Sequence, residues 1–254
     1  MIFDTHAHYD DRAFDEDREE LLSGMKEHGI GTIVDCGDHF DGLPDILRLT
    51  EEYPFLYAAI GVHPASVASL TDEKLDWIRE ALKRPKVAAV GEIGLDYHEG
   101  PEDKEIQKEW FARQIGLARD AELPVVIHSR DAAADTMELI QKERVGEIGG
   151  IMHCYSYSPE QAEIYVQLGL LIGVGGVVTF RNAKKLKETV KRIPLSSIVL
   201  ETDCPYLAPE PYRGKRNSSL YLPFVARAIS ELKGVSEEEV IAATEENARR
   251  LFRI

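Results

Sequence analysis

Cationic side chains are scarce in this chain of 254 residues: 30 lysines and arginines face 45 aspartates and glutamates, a formal net charge of −15. A protein that grips a long polyanion carries a basic patch or stripe, so extended nucleic-acid binding is excluded as a default. Any phosphate contact has to be local. Cysteine is scarce too, with only Cys36, Cys154 and Cys204, widely spaced. That excludes a disulfide framework and leads to the expectation of a reducing, cytoplasmic compartment. No basic n-region and apolar h-region open the chain, so no secretory signal is expected. The longest apolar run, Leu168 to Phe180, is too short for a bilayer and holds four glycines; it is expected to be a buried strand. No membrane and no obligate protein partner are expected. No linker, low-complexity tract or repeat divides the chain, and no Gly-rich phosphate loop follows its first apolar run.

What is present is alternation. Short β-branched apolar runs are expected as strands at Ile2–His6, Thr32–Gly37, Phe55–His63, Val87–Gly94, Pro124–Ser129, Gly150–Cys154, Leu170–Gly175 and Ile198–Asp203. Amphipathic segments between them are expected as helices at Asp15–His28, Leu43–Glu52, Thr71–Leu82, Asp103–Ala121, Ala132–Arg144, Ser158–Leu168 and Asn182–Arg192, with two more at Leu220–Leu232 and Ser236–Phe252. Caps support several starts, Ser236-Glu237-Glu238-Glu239 being a capping box. The strands are apolar on both faces, as in a parallel sheet covered by helices. Eight βα units in about 250 residues predict a single-domain (β/α)8 TIM barrel over residues 1–254. A doubly wound open sheet is the alternative.

Barrel active sites lie at the C-terminal strand ends. Those ends carry His6 and His8, Asp35, His63, Glu92, His128, His153, Glu201 and Asp203. On a strand His6 and His8 share one face. A lone histidine at a strand end is usually structural; ligand-type residues on several strands of one rim point to metal. Nitrogen and oxygen donors without thiolate suit Zn2+, Mn2+, Ni2+ or Mg2+. Six donors (His6, His8, Glu92, His128, His153 and Asp203) exceed the three protein ligands of a single catalytic ion. Two divalent ions sharing a carboxylate would use all six, and Glu92, opposite His6 and His8, is the natural bridge. No lysine ends a strand, so no carbamylated-lysine bridge is expected. Glu201 is read as orienting a ligating imidazole, and Asp35 as structural.

These residues sit in motifs. His6-x-His8, Gly91-Glu92-Ile93-Gly94-Leu95-Asp96-Tyr97, His128-Ser129-Arg130, Gly150-Ile151-Met152-His153-Cys154, Glu201-Thr202-Asp203-Cys204-Pro205 and Arg213-Gly214-Lys215-Arg216-Asn217 together resemble the TatD family of metal-dependent deoxyribonucleases. The resemblance covers essentially the whole chain, in order. It implies a distorted TIM barrel of the amidohydrolase-like kind. One metal would be held by His6, His8, Glu92 and Asp203, and a second by Glu92, His128 and His153, with His63 near the substrate phosphate. The sequence departs from the family at Tyr155-Ser156-Tyr157 and at Ser218-Ser219, both in loops expected to touch substrate.

The expected activity is hydrolysis of DNA phosphodiesters, as a 3′→5′ exonuclease on short single-stranded ends. Asp203 is the expected general base, Glu92 the metal bridge, and His63 a group that stabilises phosphate charge or protonates the leaving oxygen. Arg130, Arg213, Lys215, Arg216 and Asn217 are the expected substrate contacts, arginine offering a bidentate fork to phosphate. The alternatives are an amidohydrolase acting on a cyclic amide, lactone or ester, and a binding protein without activity.

Overall fold

In the computed structural model, residues 1–98 and 103–254 are described. Eight parallel strands follow one another around a sheet in chain order: β1 (Ile2–Ala7), β2 (Ile30–Cys36), β3 (Leu56–Ala59), β4 (Val87–Asp96), β5 (Val125–Arg130), β6 (Gly150–Met152), β7 (Leu171–Val174) and β8 (Ile198–Leu200). Among the described residues nine α-helices alternate with or follow them: α1 (Arg18–Gly24), α2 (Leu43–Glu52), α3 (Asp72–Ala81), α4 (Lys104–Asp120), α5 (Ala133–Lys142), α6 (Pro159–Gln167), α7 (Lys184–Arg192), α8 (Leu222–Lys233) and α9 (Glu237–Phe252). The architecture is the expected (β/α)8 barrel.

Two buried clusters divide the core. The larger holds the apolar faces of α1 to α8 and the outward strand residues, such as Ile33, Val90, Ile127 and Ile198. The smaller takes Phe3, Val34, Ala59, Val126, Ile151, Leu171 and Val199 from the strands, and Ala248 and Phe252 from α9. The strand residues of the smaller cluster point into the barrel. Phe252 plugs the far end, its ring stacked on Phe3 at 5.8 Å.

Ladder closure is incomplete. Among the described residues no ladder joins β8 to β1; one isolated bridge, Ala7 with Cys204 of the loop beyond β8, closes the ring. The Asp203 N–H bonds the His6 carbonyl at 2.9 Å, and side chains add to this. Asp4, fully buried, accepts the Thr202 N–H at 3.0 Å, the Thr202 hydroxyl at 2.7 Å and the Ser219 hydroxyl at 2.6 Å. Burial, partly offset by these donors, pushes the Asp4 carboxyl up to about 7. Thr5 donates its hydroxyl to the Leu200 carbonyl at 3.0 Å.

Several boundaries differ from those read from the sequence. β3 stops at Ala59, β6 at Met152 and β8 at Leu200, so His63, His153, Glu201 and Asp203 stand in the loops above the strands. Apolar character continues past the last ladder bond because these loops are themselves buried. β4 runs on to Asp96, where its ladder with β5 ends at Arg130, and Gln107 of α4 binds both backbone groups of Asp96, at 2.8 and 2.9 Å. The run Leu168 to Phe180 is not one strand: Gly176–Thr179 forms a 3-10 turn. A β-carbon at Gly176 would lie 2.1 Å from the Leu207 carbonyl oxygen, so the chain turns where only glycine fits. The segment Asp15–His28 holds only the short α1, flanked by 3-10 turns at Arg12–Phe14 and Lys26–His28.

Candidate metal centre

Two irregularities in the barrel decide which residues face its mouth. On β1, Asp4 pairs with Ile33 and Ala7 with Asp35, three steps against two. One extra residue is therefore absorbed, and a bulge of this kind exchanges the faces of the residues beyond it. Phe3 points inward, and after the shift so do His6 and His8. On β4, Val90 pairs with Val125 and Ile93 with Ile127, again three against two. Glu92 sits in that irregular stretch. His128 and His153 need no such device, lying two residues beyond the inward Val126 and Ile151.

These side chains converge. His6 Nε2 lies 3.0 Å from His8 Nε2, 3.2 Å from Glu92 Oε2 and 3.7 Å from Asp203 Oδ1. His8 Nε2 lies 3.4 Å from Asp203 Oδ1 and 3.9 Å from Glu92 Oε2. The other oxygen of Glu92, Oε1, is 2.8 Å from His128 Nδ1 and 3.6 Å from His153 Nε2. His153 Nε2 is also 3.7 Å from Asp203 Oδ1. Asp203 reaches this position with a left-handed backbone, φ 58°, a conformation that costs a non-glycine residue on the order of 1–3 kcal/mol.

The donor set fits divalent cations. An ion about 2.0–2.1 Å from tetrahedral ligands holds them roughly 3.3–3.4 Å apart, and the separations around His6 and His8 bracket that value. The imidazoles are also oriented as ligating histidines are. His8 donates Nδ1–H to the Cys36 carbonyl at 2.9 Å, and His153 donates Nδ1–H to Glu201 Oε2 at 3.1 Å. Each Nε2 lone pair is thereby turned inward. His6 Nδ1 is buried with no partner, and its ring stacks on that of His153 at 3.5 Å.

Burial disfavours the charged form of these imidazoles, yet the carboxylates outweigh it at three of them. Asp203 and Glu92 lift His8 to about 10; Glu201, Glu92 and Asp203 lift His153 to about 10; Asp96 and Glu92 lift His128 to about 9. His6 is pushed down by burial and by His153. Glu92 and Asp203 are held below the usual carboxylate range, against their burial, by His153 and the neighbouring imidazoles. Burial, reinforced by the carboxylates of Asp203 and Glu201, pushes the Cys154 thiol far up, which keeps it neutral.

Asp96 goes unrecognised in the sequence. Its Oδ2 lies 3.1 Å from His128 Nε2, so that ring has a carboxylate at each nitrogen. The signal is its position four residues beyond Glu92, on the same face of a strand that runs further than the sequence suggests. Glu201 spans two neighbours, its second oxygen accepting the Cys154 N–H at 2.7 Å. Asp35 accepts the Tyr9 N–H at 2.6 Å. His63 caps the 3-10 turn Pro64–Ser69, its Nδ1 accepting the Ala65 N–H at 3.1 Å. Its ring is edge-on to His128 at 4.3 Å, and burial lowers it to about 4.

The centre opens into a groove of about 1320 Å3, lined by His63, Ser129 and Arg130 among others. Of the five residues read as substrate contacts, Arg130 lines it and the other four do not. Asn217 is buried and donates Nδ2–H to the Thr202 carbonyl at 2.8 Å. Arg216 binds both oxygens of Asp17, at 2.7 and 2.5 Å, and the Ala13 carbonyl at 2.7 Å, and it covers the Phe14 ring. Arg213 is exposed over Phe180, 4.3 Å from the ring centre, and Lys215 is exposed.

The family described as TatD related DNase matches residues 3–253. The uncharacterized metal-dependent hydrolase YabD of Bacillus subtilis (strain 168) is 46% identical over 254 residues, all of both chains. The uncharacterized metal-dependent hydrolase YcfH of Escherichia coli (strain K12) is 34% identical over all of this chain and 96% of its own. Among solved structures, the TatD homologue YjjV of Escherichia coli K12 superposes with a TM-score of 0.94 at 34% identity, covering 100% of this chain and 98% of that one.

Proposed function

The chain belongs to the TatD family, and from that premise we propose that this metal-dependent hydrolase cleaves phosphodiester bonds of DNA, as a 3′→5′ exonuclease on single-stranded ends. The observation that carries the reading is Glu92, whose two oxygens face different sets of imidazoles, Oε2 toward His6 and Oε1 toward His128. His6, His8, Glu92 and Asp203 would hold one divalent ion, and Glu92, His128 and His153 a second, with Mg2+, Mn2+, Zn2+ and Ni2+ all suited to the donors. Ions bound there supply Lewis acidity, acidifying water and neutralising charge on the phosphate oxygens.

The chain's own groups do the remainder. Asp203, ionised at neutral pH, takes the proton of the attacking water. His63 is neutral at pH 7 and accepts at Nδ1, so its proton sits on Nε2. It acts as a hydrogen-bond donor to the phosphate or the departing sugar oxygen. Arg130, at the groove edge, holds a non-bridging oxygen of the substrate; Arg213 and Lys215, exposed on the loop after β8, meet flanking phosphates. The net charge of −15 suits an enzyme that engages a few nucleotides. Free, buried Cys36 and Cys204 suit a reducing cytoplasm.

The test is nucleotide release from 3′-labelled and 5′-labelled single-stranded oligonucleotides with Mg2+ or Mn2+. Mononucleotides released first from the 3′ end, and none from Glu92→Ala protein, are expected. Protein shown to carry metal that cleaves neither substrate would overturn the nuclease and favour an amidohydrolase on small neutral substrates.

A further inference from the structure

The mouth end of β7 brings no donor to the centre. It ends instead in Gly173, Gly175 and Gly176. A β-carbon at Gly173 would lie 2.2 Å from Glu201 Oε2, so glycine is required there for Glu201 to reach His153. The same missing side chains leave a cavity of about 490 Å3 beside the centre, within the roughly 300–1,000 Å3 of ligand pockets. Its walls are mainly apolar: Tyr155, Val177, Ala183, Leu186 and Leu207, with Asn182, Lys184 and Lys185 at an exposed rim. It adjoins the metal groove directly, for Cys154, Ser156, Val177, Asp203 and Leu207 line both.

The opposite wall of the groove is hostile to phosphate. It carries Asp10, Asp11, Asp38, Asp41 and Asp45 against the exposed Arg12. Its Arg18 is bound to the Tyr9 carbonyl and Asp15, and its Arg48 to Glu52. A strand anchored by one phosphate at the centre is therefore repelled from extending that way. The geometry points to the cavity at the mouth end of β7 as the seat of the 3′-terminal nucleoside, the one released with the attacked phosphate. The base lies between Tyr155, Val177 and Leu186, its polar edge meets Asn182, and its phosphate projects past Asp203 to the metal ligands. An apolar slot with an amide at its lip suits a flat base with a polar edge; the inference rests on the phosphodiesterase reading above.

Two measurements decide it. In metal-loaded protein, a thymidine dinucleotide is compared with the analogue whose 3′-terminal residue, the one released with the attacked phosphate, is a tetrahydrofuran abasic sugar with hydrogen in place of the base. Wild-type protein is expected to prefer the base-bearing substrate roughly 5- to 150-fold in kcat/KM, the equivalent of seating one base on an aromatic wall. Ala183→Trp, which fills the cavity, should collapse that ratio toward one; an unchanged ratio, or none in the wild type, overturns the inference. The second measurement is binding of free thymidine to chelator-treated protein, followed by proton chemical shifts. Saturable binding lost in Ala183→Trp, and in Val177→Trp should the first variant not fold, supports the seat. Absence of binding, or binding equal in the variants, overturns it. If neither dinucleotide is cleaved but thymidine binds and the variants abolish it, the nuclease reading fails and the nucleoside seat stands.

Discussion

Glu201 fixes the ring of His153: its Oε2 accepts the imidazole Nδ1–H at 3.1 Å while its Oε1 takes the Cys154 N–H at 2.7 Å. One buried carboxylate thus sets both the tautomer of a histidine of the centre and the backbone that carries it. Removing such an outer partner typically costs 10–100-fold in metal affinity. Glu201→Ala should therefore weaken binding of the His153 ion by about that factor while β7 and β8 keep their pairing. Titration of chelator-treated protein with Mn2+ or Zn2+, beside a circular dichroism spectrum, checks it; unchanged affinity would remove Glu201 from the site.

Asp203 is expected to act on protons beyond holding metal. Asp203→Asn keeps one oxygen facing His6 and His8 but cannot take a proton. The loss of kcat should be about 10²–10⁴-fold, larger than any loss of bound metal measured in the same preparation. If activity falls only in proportion to metal content, Asp203 is a ligand and nothing more.

Proton release should accompany metal binding. In chelated protein, His8 and His153 titrate at about 10 and His128 at about 9: burial opposes the charge, and Asp203, Glu201, Asp96 and Glu92 more than restore it. Their protons have to leave before Nε2 or Nδ1 can bind an ion. Affinity should rise with pH below about 9, by about one decade per unit for each proton displaced. Calorimetry at pH 7.5 in buffers of different ionisation enthalpy should show the release; a buffer-independent heat would contradict it. The sign for stability is opposite. A histidine raised above its unfolded value of about 6.5 stabilises the chelated fold fully below that pH and loses the contribution as pH rises through 9–10. The Tm in chelator should therefore fall between pH 7 and 10.

Arg216 is expected to matter more for stability than for catalysis. Its fork on Asp17 and its contact with Ala13 tie the loop after β8 to the loop after β1. Both partners are more than a third exposed, so solvent screening keeps the ion pair to about 0.2–1 kcal/mol. Arg216→Ala should lower Tm by a few degrees and leave KM for a dinucleotide within about twofold. A KM effect far beyond this, with Tm unchanged, would return Arg216 to the substrate. Arg213→Glu and Lys215→Glu then become the cleaner test of charge recognition.

Much of the fold is legible in the chain because its signals are local. Alternating apolar runs and amphipathic segments count out eight βα units, and the number of strands that ring a barrel mouth comes directly from that count. The donors are legible as a set: one histidine or carboxylate at a strand end is usually structural, but several on one rim have few structural uses together. Ends of elements are less so. Burial extends apolar character past the last ladder bond, which is why β3, β6 and β8 read longer than they are. Asp96, beyond a glycine, escapes notice because nothing local marks the strand as continuing to it.

By itself, then, the order of residues determined the barrel, the family motifs and which side chains offer nitrogen and oxygen donors at the strand ends. Tertiary structure alone decided where those side chains go. A one-residue bulge on β1 and another on β4 exchange strand faces, and a strand's own pattern does not say whether its neighbour carries the extra residue. Likewise, whether Arg216 meets a substrate or Asp17 depends on a loop about 200 residues away in the chain. The cavity at the mouth end of β7 exists because three glycines stand where other strands present side chains, and empty space is a property of everything packed around it.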